Sequence, residues 1–156
     1  MNKKRLLEEF LELVQIDSET KHEAEICKVL KEKFAALGMD VVEDDTKPKT
    51  GHGAGNLVCT LPGTQEADTI YFTSHMDTVV PGKGVKPVIE DGYVKTDGTT
   101  ILGADDKTGL AAMLEAVKVL KEKNARCDLC VKCRVYTGMS KKDAADMFIK
   151  QRGTSS

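Results

Sequence analysis

Thr69-Ile70-Tyr71-Phe72-Thr73-Ser74-His75-Met76-Asp77-Thr78 is the stretch on which the fold turns. Its first six residues are β-formers and nearly continuous in apolar character. Such a run reads as an interior strand covered on both faces. Polar chemistry follows at once. His75 and Asp77 stand at the C-terminal end of the strand, where α/β sheets put their ligands. Residues two apart in an extended chain point the same way, so Asp77 can lie beside the His75 ring. A carboxylate beside a metal-bound imidazole holds the ring and raises its basicity. A plain His–Asp hydrogen bond closing a strand end is the alternative reading of the same pair.

Downstream, Val88-Ile89-Glu90-Asp91-Gly92-Tyr93-Val94 reads as a hairpin about an Asp-Gly turn. Thr99 to Leu102 reads as a short strand. Residues 107–123 then carry Leu110, Met113, Leu114, Val117 and Leu120 at helical spacing. Gly103-Ala104-Asp105-Asp106-Lys107 lies between the two. Asp106 can simply cap the helix and favour its dipole. Asp105 is less well explained that way. A carboxylate there could bridge two cations, which in such sites lie roughly 3.5–4 Å apart. Gly109 is unfavourable inside a helix by about 1 kcal/mol against Ala, which suggests close packing at that point.

Upstream, residues 3–16 form an amphipathic helix with Leu6, Leu7, Phe10, Leu13 and Val14 on its apolar side. Residues 21–37 form a second, with Gly38 as its C-terminal stop. Val41-Val42 begins a short strand, residues 44–55 read as a loop, and residues 56–61 form the next strand. Strands interleaved with helices imply an α/β fold with a mixed sheet sandwiched by helices.

The bulk numbers narrow the function classes. The chain has 156 residues, 23 basic and 25 acidic, for a net charge of -2. No single-sign field points to nucleic acid or a membrane surface. Aromatic residues make up 4% and Trp is absent, which disfavours base stacking. Glu8, Glu9 and Glu12 break any apolar signal-peptide core, so a cytoplasmic protein is expected. Of five cysteines, Cys27 and Cys59 sit among apolar residues and read as buried free thiols.

Ser74-His75-Met76-Asp77-Thr78-Val79 and Leu102-Gly103-Ala104-Asp105-Asp106-Lys107-Thr108-Gly109 together resemble the peptidase T branch of the two-zinc exopeptidases related to aminoacylase. Residues 13–20 and 51–56 are similar to it as well. The resemblance covers roughly residues 1–124, the N-terminal part of such a catalytic domain. It implies that His75 ligates one zinc, that Asp105 bridges two, and that Asp77 is the catalytic aspartate orienting His75. It also implies a cis peptide between Asp105 and Asp106. The implied activity is a zinc-dependent aminopeptidase, tripeptidase-like, removing the N-terminal residue of short peptides. The family continues with a Glu-Glu pair, further ligands and a lid domain through which a full-length homodimer could form. None of these is found here, so the chain alone is expected not to hydrolyse peptides. The alternative is a truncated, non-catalytic domain that binds metal or a partner.

The pattern changes near Asn124. Residues 125–156 read as a divergent tail, with Cys127, Cys130 and Cys133 at a spacing that resembles a metal or cluster motif lacking its fourth ligand. A shifted reading frame would also account for the change. Within the tail, residues 140–152 read as a short helix.

Overall fold

The structure, a computed structural model, describes residues 1–63, 69–123 and 131–137. Helix α1 (Lys3–Val14) starts where the Asn2 side chain accepts the Arg5 backbone N–H at 3.1 Å. Helix α2 (Ala24–Ala36) buries Ile26, Cys27, Leu30 and Phe34. It ends before Gly38, whose φ of 73° is the left-handed stop expected there. Strand β1 (Asp40–Glu43) follows, then one helical turn, α3 (Lys47–Thr50), inside the expected loop, then β2 (Leu57–Leu61) and β3 (Ile70–His75).

Strands β4 (Val88–Glu90) and β5 (Tyr93–Lys95) form the expected hairpin. Both turn residues have positive φ, 53° at Asp91 and 80° at Gly92. That backbone matches the twist of the flanking strands. Thr99 to Leu102, expected as a strand, is irregular. Its polar groups serve the loop instead: Thr99 donates to Asp97, and Ile101 N–H to the Pro81 carbonyl. Helix α4 spans Ala104–Glu122, with non-helical φ/ψ at Asp105 and Asp106. Helical geometry thus starts at Lys107, as its periodicity suggested.

Strand β6 (Val131–Tyr136) completes a mixed sheet in the order β1-β2-β6-β3. It runs antiparallel to β2 and parallel to β3. Parallel neighbours need a crossover, and α4 supplies it. The core lies between the helices and one sheet face, which carries Leu57, Cys59, Val131, Cys133 and Val135. Val58, Thr60, Lys132 and Arg134 alternate to the other face and stay partly open.

The expected interior strand is therefore an edge strand among the described residues. β3 pairs on one side only, with β6, and Ile70, Tyr71 and Phe72 are 38%, 48% and 43% exposed. An apolar run permits an interior position, but pairing on both flanks is what creates one. The interior place goes to β6, whose apolar/basic alternation is that of a strand with one buried face. β6 lies within the residues read as a tail. Cys133 is buried in it as a free thiol, directly opposite Cys59. Cys127, Cys130 and the expected helix at 140–152 lie outside the described residues.

Candidate metal centre

The end of β3 delivers His75, and the chain stays tied down beyond it. Met76 N–H donates to the Tyr136 carbonyl at 2.8 Å, and Thr78 N–H to the Ser18 carbonyl at 2.9 Å. Met76 itself is fully buried. With His75 and Met76 fixed, Asp77 returns to the side of the imidazole. His75 Nδ1 lies 3.0 Å from both Asp77 Oδ1 and the Asp77 carbonyl oxygen. The other Asp77 oxygen accepts from Thr20 Oγ1 at 2.7 Å. The ring is thereby held with Nδ1 toward Asp77 and Nε2 outward.

Asp105 meets that outward nitrogen, with Oδ1 3.1 Å from His75 Nε2. The peptide bond between Asp105 and Asp106 is cis. Asp106 turns the other way. It accepts from Ser74 Oγ at 2.7 Å and from Gly109 N–H at 3.1 Å, capping α4. Lys107 is buried, and its Nζ donates to the Ile16 carbonyl at 2.6 Å. Burial lowers its pKa to about 8 against a partial counter-effect from Asp17.

The charges reinforce this arrangement. The hydrogen bond to Asp77 raises the His75 pKa to about 9, with burial opposing and Asp105 adding to the rise. Burial alone would raise Asp77, but hydrogen bonds from His75 and Thr20 hold it below the ordinary carboxylate range. The two carboxylates therefore favour the charged imidazole, and a metal ion at Nε2 would have to displace its proton.

His75, Asp77 and Asp105 line an open pocket of ≈ 360 Å³ with Thr78, Val79 and residues 101–104. The donor pair can be tested against a metal. A tetrahedral zinc with ligands at about 2.0–2.1 Å has ligand-to-ligand edges of about 3.3 Å. The observed 3.1 Å between Nε2 and Oδ1 is close to one such edge. An imidazole nitrogen and a carboxylate oxygen also suit zinc chemically. Among the described residues, however, no cluster of three or more metal-ligating side chains exists. The two donors fit a metal, and they are too few to enclose one.

All three side chains singled out from the sequence thus come together. Reading the sequence missed Thr20 and Ser74 as supports, although residues 13–20 were noted as a motif. The signal for Thr20 lies in its neighbours. Asp17 and Glu19 accept the Gly84 and Gly82 backbone N–H groups, each at 2.8 Å. The whole strap 16–20 therefore braces the loop behind the site.

A model described as Peptidase family M28 matches residues 56–138. The match covers more than half of the chain, and the chain belongs to this peptidase family. Its relatives place it further, among proteins like peptidase T. A Bacillus subtilis (strain 168) protein described as "Uncharacterized protein YqjE" is 82% identical over 124 residues, covering 80% of this chain and 33% of the relative. The crystal structure of aminopeptidase PepT from Bacillus cereus ATCC 10987 is 65% identical, with a TM-score of 0.84 over 86% of this chain and 36% of that one. A tripeptidase structure from Staphylococcus aureus subsp. aureus Mu50 is 55% identical, with a TM-score of 0.83 over the same shares. The chain spans about a third of the length of these relatives. The fold class and the peptidase T resemblance read from the two motifs both stand. No helix among the described residues is long and apolar enough to cross a membrane.

Proposed function

We propose that this chain carries one half of the zinc centre of a cytoplasmic aminopeptidase that acts on short peptides, tripeptides among them. One observation carries the reading: His75 Nε2 and Asp105 Oδ1 face each other at 3.1 Å while Asp77 holds Nδ1. His75 and Asp105 would hold metal, with Asp105 placed to share a second ion, and Asp77 would orient His75. When bound, zinc lowers the pKa of a water and polarises the scissile carbonyl. The names of the Bacillus cereus and Staphylococcus aureus relatives support aminopeptidase and tripeptidase activity for the full-length form.

The described residues lining the pocket include no glutamate. The proton-accepting groups in that lining, Asp77, Asp105 and His75, are engaged with one another and with Thr20, which leaves no separate base for an attacking water there. The shortage of ligands and base favours a second reading for the chain by itself, a domain that binds metal weakly without turnover. A division into a peptidase part at residues 1–124 and a separate segment at 125–156 has the family match to residue 138 and the central place of β6 against it, and both favour a later boundary.

Zinc titration and peptide hydrolysis test both statements. The chain is expected to bind zinc weakly, to lose it in His75→Ala, and to show no turnover of a tripeptide such as Leu-Gly-Gly. Turnover by the purified, zinc-loaded chain would overturn the claim of inactivity. Zinc binding indifferent to His75→Ala would overturn the site.

A further inference from the structure

We propose that Ser74, Asp106 and Gly109 form a clamp that sets the separation between His75 and Asp105, and the proposal rests on the metal assignment above. Ser74 directly precedes His75, and Asp106 directly follows Asp105. Ser74 is buried. Its hydroxyl lies 2.7 Å from Asp106 Oδ2 and 3.1 Å from the Asp106 carbonyl oxygen. The end of β3 and the start of α4 are thus joined one residue away from each metal donor.

Asp105 needs such a support. Its side chain is 97% exposed, and its hydrogen bond to His75 is the one it makes among the described residues. Its direction is therefore set by the backbone that carries it, and Asp106 anchors that backbone.

Gly109 makes room for the anchor. Its N–H donates to Asp106 Oδ1 at 3.1 Å. A Cβ at this position would stand 2.5 Å from Asp106 Oδ2 and 2.6 Å from Oδ1. Carbon and oxygen do not approach so closely, so a larger residue would push the carboxylate off both partners. This accounts for a glycine in the first turn of a helix, where its intrinsic preference is poor. All three are positioning residues that act through His75 and Asp105.

The test is the zinc affinity of the 156-residue chain, followed by NMR titration with zinc chloride. Ser74→Ala and Gly109→Ala are each expected to weaken zinc binding by about ten- to a hundredfold, the usual effect of losing a support behind a metal ligand. Gly109→Ala should at the same time leave the helix content and the urea midpoint little changed, because the better helix preference of Ala offsets the loss of the Asp106 cap, an effect of similar size. A merely structural role would not give a variant that is as stable and binds zinc less. Asp106→Asn can keep both bonds, accepting from Gly109 and donating to Ser74, and should stay within about threefold of the parent. Asp106→Ala should fall as Ser74→Ala does.

Zinc affinity unchanged in Ser74→Ala and Gly109→Ala, with binding lost in His75→Ala, overturns the clamp. Asp106→Asn falling as far as Asp106→Ala overturns it too, because charge and not position would be the cause. A different pattern marks failure of the metal assignment: no zinc binding by the parent chain, or binding that His75→Ala leaves intact.

Discussion

Replacing Glu115 by Gln tests how α1 is held against α4. The Glu115 side chain is 4% exposed and takes three donors. Arg5 Nε reaches Oε2 at 2.7 Å, Arg5 Nη2 reaches Oε1 at 3.0 Å, and the Asn2 backbone N–H reaches Oε1 at 2.7 Å. Arg5 also pairs with Glu122. The Arg5 hydrogen bond leads in lowering the Glu115 pKa from 4.5 to about 2, with burial opposing. At about 1.36 kcal/mol per pKa unit, that difference is worth about 3 kcal/mol. Arg5 is 27% exposed, so solvent screens part of it. The expected loss in Glu115→Gln, which keeps the volume and one acceptor, is about 2 kcal/mol.

The folded value lies below the unfolded one, so the unfolded chain takes up its proton first as pH falls. The stabilisation is therefore whole above about pH 5 and drains away from 4.5 toward 2. Urea denaturation of parent and variant, followed by far-UV circular dichroism at pH 7 and pH 3, reads it directly. The gap between them should shrink at pH 3 to less than half its size at pH 7. Equal stabilities at pH 7, or a gap that persists undiminished at pH 3, refute the reasoning.

Three further outcomes follow from named contacts. Thr20→Val removes the 2.7 Å hydrogen bond to Asp77 and should weaken zinc binding by about tenfold with little change in the circular dichroism spectrum; unchanged affinity would show that Asp77 needs no such support. Leu114→Ala empties a fully buried place in the core and should lower stability by about 3 kcal/mol in urea, whereas a loss under about 1 kcal/mol would mean that the α4 packing is wrong. Phe72→Lys places a charge on the half-exposed edge strand and should reduce self-association of the chain in light scattering; equal association would locate the sticky surface elsewhere.

Much of this molecule is legible locally. The α2 stop at Gly38 and the Asp91-Gly92 hairpin follow from backbone freedom at single residues. The Asp106 cap follows from side-chain chemistry at the helix start. The His75–Asp77 contact follows from the two-residue repeat of an extended chain. The family resemblance rested on the same short stretches. Thr99 to Leu102 shows where local reading fails, since its strand-like composition is overruled by an Asp97 turn and a bond to Pro81.

By itself, then, the sequence determined most of the helices and strands, though not α3, β6 or the irregular residues 99–102, and that His75 carries a carboxylate partner. Only the tertiary structure decided the strand order, with β6 between β2 and β3 and the apolar β3 at an edge. It alone brought Asp105 to His75 across 30 residues, and Ser74 and Thr20 to Asp106 and Asp77 across 32 and 57. The reason is physical. Hydrophobic period and capping act within a turn or a strand, whereas edge or centre, and which carboxylate meets which imidazole, are set by pairings between distant segments. Any apolar strand satisfies the local pattern equally well, and only the packed sheet and its crossover helix choose among them.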